Sequence, residues 1–458
     1  MTLYTYGFVS LLAILLAGNA LYVLARKSRL QIWFNVTVLS LICVMAYGMN
    51  GTAATYLGLV QVNPFSIFFI LVLTLGVLFV NVLAHAHSQD YRDFALLSSS
   101  GLIGAYLVAT AGSLVSIFLG LELIGLPTLF IMLTSRRQSL EAATKFFIMT
   151  SIAAAVLAFA VVIVYGASGS LALAPQQQGA LLAFAAVLFL VSLGVGASAF
   201  PFGVFVPDVY QGSEAHVTAM LGGVNETVAF AALIQVSILL FISFDFAFTL
   251  VAAMAVLTML FGSTVALVQK NFKRMLAYSS ISQAGYVLIG IATHSAAGIT
   301  GSLFQIFAHA FLFIGVLGII AWLEKNGRSG TDDLIGLYKE NRFAAIALTV
   351  FLLSMVGLPF TTGFVGKFLI LLSAVNSGLL WLAVIGAIAS VVSLFFFARV
   401  LTAVYTDKLG ATRIRLDTST AAVVLVCLAL TVIFGLYPQP VMSLAGNGAN
   451  YLFGILGR

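Results

Sequence analysis

Charge is scarce in this chain. Asp, Glu, Lys and Arg make up 7% of 458 residues, where soluble domains carry roughly 25%. That scarcity excludes a soluble globular domain. Cysteine is rarer still: Cys43 and Cys427 are the only two, and both fall in apolar runs. Two such residues exclude a disulfide framework, a thiolate metal site and an iron–sulfur cluster. The histidines, His85, His87, His216, His294 and His309, are too scattered for a metal site. What is abundant is apolar: 62% of residues are hydrophobic and the mean hydropathy is +1.15. The fold class is an all-α polytopic membrane protein. The net charge of +6 is not a nucleic-acid signal, because the basic residues sit in short loops between apolar spans. No cleavable signal peptide is evident. The stretch from Leu3 to Leu24 precedes Arg26-Lys27-Ser28-Arg29 and reads as a true first span.

A span needs about 20 apolar residues. Fourteen candidates fit: 3–24, 32–50, 62–84, 94–111, 113–133, 141–165, 180–200, 216–241, 246–268, 275–293, 298–323, 343–373, 379–405 and 419–437. Loop charge alternates. Arg26, Lys27 and Arg29 follow span 1, Arg92 follows span 3, and Arg136 and Arg137 follow span 5. Lys270, Lys273 and Arg274 follow span 9; Lys325, Arg328, Lys339 and Arg342 follow span 11; Lys408, Arg413 and Arg415 follow span 13. Loops after even-numbered spans carry no Lys or Arg. The positive-inside rule puts the odd loops in the cytoplasm and both termini on the outer side of the cell membrane. The loop after span 7 has no basic residue and reads Pro207-Asp208-Val209-Tyr210-Gln211-Gly212, a packed structural loop.

Proline interrupts two spans. Span 12 carries Gly357-Leu358-Pro359, then Thr361-Thr362-Gly363 and Lys367. Pro359 removes a backbone donor, and a freed carbonyl in hydrocarbon costs several kcal/mol unless protein or water satisfies it. Span 7 runs through Gly194 and Gly196 to Pro201 and Pro207. Two interruptions five spans apart predict two inverted five-helix repeats, spans 4–8 and 9–13, with broken helices 7 and 12. The chain divides into 1–93 (spans 1–3), 94–242 (first repeat), 243–408 (second repeat) and 409–458 (span 14 and a tail).

Few charges fall within spans, and each is a candidate functional residue. Lys367, beside the break, is a candidate proton carrier if desolvated; the plainer alternative is a lysine that snorkels to the interface. Glu122 has no charged neighbour on its own helix and needs a partner from another. Lys145 on the next span is the expected one, as a relay pair or a static bridge. Glu226 shares one face with Thr218 and Gly222, a small-residue face that lets another helix approach; a protonated acid bonded to that neighbour is the bland reading. Ser279, Ser282, Gln283 and Tyr286 form a polar stripe on span 10. Gln305 and His309 lie one turn apart on span 11, and His309 is a candidate proton shuttle. Arg399 is expected to pair with an acid or face a cavity. Phe395-Phe396-Phe397 reads as a lipid-facing or packing surface.

Several segments also resemble a known family. They are Leu119-Gly120-Leu121-Glu122-Leu123, Glu141-Ala142-Ala143-Thr144-Lys145-Phe146-Phe147, Tyr165-Gly166-Ala167-Ser168-Gly169-Ser170, Pro207-Asp208-Val209-Tyr210-Gln211-Gly212, Lys273-Arg274-Met275-Leu276-Ala277-Tyr278-Ser279-Ser280-Ile281, and Gly357-Leu358-Pro359 with Gly363-Phe364-Val365-Gly366-Lys367-Phe368. Together they resemble the antiporter-like subunits of respiratory complex I, and the Pro-Asp-Val-Tyr-Gln-Gly segment points to the N type. The N subunit of archaeal F420H2 dehydrogenase belongs to the same group. The resemblance covers roughly residues 60–440. It implies a fourteen-helix membrane-arm subunit that translocates protons, driven by quinone or phenazine reduction elsewhere in the complex. It carries the family's fifth-helix glutamate onto Glu122, its sixth-helix lysine onto Lys145 and its twelfth-helix lysine onto Lys367. It implies no redox cofactor in this chain. NADH or F420H2, FMN or FAD, iron–sulfur clusters and quinone belong to other subunits, and the expected partners are those subunits and the bilayer.

The departures are concentrated mid-membrane. Gly196 stands where the family has a helix-7 lysine, and Glu226 stands where it has a helix-8 lysine. Gly203 replaces a histidine after the break, and a family histidine is missing near Gln283. Ser213-Glu214-Ala215-His216 replaces an Ala/Thr-Pro pattern. The expectation is that Lys145, Glu226, His309 and bound water stand in for part of the missing row. The alternatives are a non-pumping scaffold in the same complex, a subunit of a secondary cation/proton antiporter, or a membrane-bound hydrogenase subunit.

Overall fold

The computed structural model describes residues 10–18, 28–49, 53–88, 90–134, 139–328, 330–407 and 414–455. Most of span 1 lies outside these residues, as do the loop charges Arg26, Lys27, Arg136, Arg137, Lys408 and Arg413. The regular structure of the described residues is helical, apart from one small hairpin that pairs Ala54–Tyr56 with Val60–Val62.

Among the described residues ten helices are long and apolar enough to cross a membrane. Three shorter apolar helices, Ala180–Gly196, Arg342–Val356 and Thr362–Asn376, flank the interruptions. At the first, the Ala180–Gly196 helix gives way to turns and then to the short Val206–Gly212 helix, so the expected loop after span 7 is itself helical. At the second, Gly357 ends the Arg342–Val356 helix with φ +103°, a left-handed conformation that glycine adopts without strain.

Ala296–Lys325 is the central helix. It packs against Phe272–Ala292, Thr362–Asn376, Thr418–Leu436 and Pro64–His87. The apolar windows of Phe272–Ala292 and Ala296–Lys325 are wholly buried, whereas Ser139–Ser168 and Thr418–Leu436 are peripheral. Polar residues on the two central helices therefore meet protein and not lipid, and in such a place they must find partners.

The connections gather at two ends. At one end Val60 bridges Ala111, Ser113 bridges Ala172, and Gln176 N–H donates to Leu240 O. At the other end Asn271 bridges Gly330, Ala215 N–H donates to Glu324, Lys325 reaches Ala86 O, and Ile414 N–H donates to Glu340 O. The first group are connections after even-numbered candidate spans and the second are connections after odd-numbered ones.

The tail after span 14 holds a further helix, Gln439–Ile455, seated on Pro64–His87 and Ala296–Lys325. Its buried residues Val441, Ala445, Ala449 and Leu452 recur along one face. The three phenylalanines of 395–397 divide: Phe395 is exposed, while Phe396 and Phe397 are buried.

Candidate functional site

The break beside Pro359 explains the position of Lys367. In an unbroken helix Met355 O would accept from the N–H four residues on, but that residue is Pro359 and has none. Lys367, on the helix after the break, supplies the missing donor. Its buried Nζ donates to Met355 O at 2.7 Å, to Val356 O at 3.0 Å and to Ser390 Oγ at 3.2 Å. Those three bonds use every proton of an ammonium. The same nitrogen lies 4.4 Å above the ring of Tyr286, whose hydroxyl donates to Gly386 O and approaches Ser390 Oγ. The ring face adds attraction for the charged form.

Met355 O also accepts from Gln283 Nε2 at 2.9 Å, and Gln283 Oε1 accepts from Gln305 Nε2 at 3.0 Å. The polar stripe of the 272–292 helix and the Gln305 turn of the central helix are thereby joined to Lys367. Gln283 and His309 then line a cavity of about 10 Å³ together with Glu226 and Thr227. That is room for about one water.

Beyond this gap Glu226 and His309 come together. Glu226 sits directly after a π-helical turn, Leu221–Asn225. Ser280 Oγ donates to Glu226 Oε2 at 2.7 Å and lies 3.0 Å from His309 Nε2. His309 Nε2 is 3.7 Å from Glu226 Oε2. Because the Ser280 proton goes to the carboxylate, the donor order makes His309 Nε2 the protonated nitrogen and leaves Nδ1 to accept. Nδ1 and Glu226 Oε1 have no partner within the protein. A proton arriving at Nδ1 can release the one on Nε2 through the Ser280 hydroxyl to Glu226, with each oxygen and nitrogen exchanging one bond for another.

Glu226 lines a second cavity, of about 150 Å³, with Glu122, Gly196 and Asn225. Gly196 is the position at which the resemblance leads one to expect a lysine, and it borders this cavity directly. A Cβ there would stand 2.8 Å from Ala229 Cβ. The Ala180–Gly196 and 226–235 helices thus approach closely at this one contact.

The expected Glu122–Lys145 pair does not form. Lys145 Nζ binds Glu141 Oε1 at 2.8 Å and Asp208 Oδ2 at 2.8 Å, and Asp208 also holds Arg274. Helical rise is the reason. Glu122 lies 12 residues before Thr134 and Lys145 6 residues after Ser139, so at 1.5 Å per residue the two differ in depth by about 9 Å. Lys145 thus stands at the odd-loop end, away from the mid-membrane row. The hydrogen bond from Lys145, the largest effect, holds the Asp208 carboxyl below the usual carboxylate range; partial burial opposes it, and the hydrogen bond from Arg274 adds to the lowering. Arg399 pairs with no acid among the described residues. Its guanidinium caps Leu267 O and Gln269 O at the end of the Asp245–Leu267 helix.

The sequence grouped Glu226 and His309 with Lys145 and bound water, and offered Gln283, Gln305 and Lys367 separately; the structure puts Glu226 beside His309, joins Gln283 and Gln305 to the Lys367 acceptor, and leaves Lys145 apart. Sequence reasoning missed Ser280, Ser390 and Asp208. Ser280 lies inside the Tyr278-Ser279-Ser280-Ile281 run, and a serine in an apolar helix gives no sign of which neighbour it faces.

The comparisons with known proteins agree with this architecture. The family described as NADH:quinone oxidoreductase/Mrp antiporter, a transmembrane family, matches residues 111–393. The chain is 34% identical over 392 residues to the F(420)H(2) dehydrogenase subunit N of Methanosarcina mazei, covering 80% of this chain and 78% of that one. It is 33% identical over 376 residues to the NADH-quinone oxidoreductase subunit N of Bdellovibrio bacteriovorus, covering 78% and 77%. Among solved structures, a chain of Thermus thermophilus respiratory complex I superposes with a TM-score of 0.85 at 28% identity, over 95% of this chain and 99% of that one. A chain of the Dietzia Mrp complex superposes with a TM-score of 0.92 at 20% identity, over 99% and 98%, a likeness of fold. The chain is therefore a multi-pass membrane protein that belongs to the NADH:quinone oxidoreductase/Mrp antiporter family, among its N-type subunits.

Proposed function

We propose that this chain is the proton-translocating N subunit in the membrane arm of a complex I-type dehydrogenase, with quinone or phenazine reduction in neighbouring subunits driving it. The redox centres belong to those subunits. The chain has fourteen spans, two inverted five-helix repeats and both termini on the outer side. The relatives' names and the sorting of the loops support this reading. One observation carries the proton role: the polar row from Glu226 through Ser280 and His309 to Gln283, Gln305 and Lys367 is interrupted only by a water-sized gap.

The row has two ends with opposite charge. At one end Glu226 and Glu122 share the 150 Å³ cavity, room for several waters. At the other end Lys367 is fully hydrogen-bonded as an ammonium. Protonating Glu226 removes a negative charge in low dielectric, where charges act over long distances. Lys367 loses attraction and is biased to give up its proton, which couples the two ends without direct contact. Lys145 sits off this row and acts with Asp208 and Arg274 to anchor the 206–212 helix.

The test replaces Lys367 by Met in the assembled complex and measures donor oxidation together with proton uptake in vesicles. Proton uptake per donor oxidised is expected to fall. Full stoichiometry in a fully active complex removes Lys367 from the pathway and favours the scaffold reading.

A further inference from the structure

The cavity between Glu122 and Glu226 has a chemistry that proton transfer alone does not require. No lysine, arginine or histidine lines it. Glu226 is 3% exposed, and its Oε1 has no hydrogen-bond partner. Asn225 Nδ2 donates to Thr128 Oγ1 at 2.9 Å, which leaves Asn225 Oδ1 as an acceptor without a partner. The hydroxyls of Thr150 and Ser192 are spent on the carbonyls of Phe146 and Ala153. Glu122 has no ion-pair partner among the described residues. The hydroxyls of Ser151, Ser198 and Tyr210 also line it, but the two lining atoms left buried without a partner, Glu226 Oε1 and Asn225 Oδ1, are both acceptors, and Glu122 brings a second carboxyl group. A buried anion of this kind calls for a cation with hydrogen-bond donors.

The remaining wall is apolar, formed by Ile124, Leu157 and their neighbours. An inorganic ion would leave most of this volume without contacts. An apolar cavity of about 150 Å³ accepts a benzene-sized body, and this one has that volume. Leu126 and Phe147, 47% and 48% exposed, stand at its rim. They belong to the outward apolar faces of Leu114–Thr134 and Ser139–Ser168, so a lipophilic molecule reaches the rim through the bilayer.

We propose that this cavity binds a small lipophilic primary ammonium ion, with the ammonium among Glu226 Oε1, Asn225 Oδ1 and Glu122 and the apolar body against Ile124 and Leu157. Binding itself does not depend on proton pumping. Only its consequence, displacement of water between the two glutamates and a block of the relay, rests on the function proposed above.

The probe is benzylammonium, titrated by calorimetry into the purified full-length chain in lipid nanodiscs, without donor or turnover. Benzyl alcohol is the neutral control of nearly equal shape. Benzylammonium is expected to bind at least tenfold more tightly than the alcohol. Glu226→Gln is expected to weaken it by about tenfold, and Leu157→Trp, which fills the cavity and keeps both acids, to abolish it. Equal affinity of the two ligands for the unmodified chain overturns the proposal without any variant. So does binding that survives both substitutions, or competition by millimolar sodium. A chain that binds benzylammonium as expected while Lys367→Met leaves pumping intact would uphold the site and sink the relay.

Discussion

At the scale of single residues, the site turns on one hydroxyl. Ser280 gives its proton to Glu226 and faces His309 Nε2. Ser280→Ala leaves two buried polar groups without this partner, at a cost of about 1–3 kcal/mol for each group left unsatisfied. It should slow proton uptake at least tenfold, while Ser280→Thr keeps the hydroxyl and restores most of the rate. Proton uptake in vesicles of the assembled complex distinguishes the two; equal loss in both variants means that the helix, and not the hydroxyl, matters. The acids and bases of this site were legible because charge is conspicuous in an apolar span. Glu226, His309 and Lys367 announced themselves by type. Ser280 and Ser390 did not, because which face of a helix meets a given neighbour depends on the rotation of three packed helices, which local periodicity does not fix. The same blindness produced the Glu122–Lys145 pairing. Two charges on adjacent spans looked close in sequence, but helical rise separates their depths and Asp208 was nearer.

At the scale of elements, breaks and close contacts constrain side chains. The Met355 carbonyl exists as an acceptor because Pro359 cannot donate to it, and Lys367 fills the vacancy. At Gly196 one helix contact constrains the backbone: a Cβ there would meet Ala229 Cβ. Gly196→Ala brings two Cβ atoms to 2.8 Å and should destabilise the chain by about 1–3 kcal/mol, the cost of an overpacked core. Ala229→Gly in the same chain should recover most of it. Thermal unfolding in detergent measures both, and additive losses would contradict the contact. The 206–212 helix is docked by Asp208 on Lys145 and Arg274. Those partners hold the Asp208 carboxyl below its usual value of about 3.9. Its contribution is therefore complete above about pH 4 and is lost as pH falls through the lower, folded value. Asp208→Asn should lower the unfolding temperature at pH 7 and narrow the gap to the unmodified chain under strong acid. A gap that stays constant with pH would show that the charge is not the cause. The breaks were readable from proline and glycine. The Gln439–Ile455 helix was not, because its half-polar composition fails the test of a continuous apolar span while its one-sided apolar face suits a groove between helices.

At the scale of the whole molecule, the distribution of charge and the sorting of loops are one fact seen twice. The alternation of basic and uncharged loops is a statement about insertion. The clustering of the 53–63, 110–113, 169–178 and 241–244 segments at one end, and of the 206–214, 269–274, 324–341 and 414–417 segments at the other, is a statement about folding. A chain whose helices alternate in direction must satisfy both. Two exposed positions report the sidedness directly. Leu57, 95% exposed, lies on the turn of the hairpin at the end without basic loops. Lys339, with a half-exposed side chain, lies at the basic end and pairs with Asp407. Leu57→Cys and Lys339→Cys are each introduced into a chain carrying Cys43→Ser and Cys427→Ser, so that no native thiol competes. With a membrane-impermeant maleimide, Leu57→Cys should label in intact cells and Lys339→Cys only in inside-out vesicles. The reverse pattern would invert the whole orientation. Labelling of both from one side would break the alternation of helix direction, and with it the fourteen-span count on which the two inverted repeats depend.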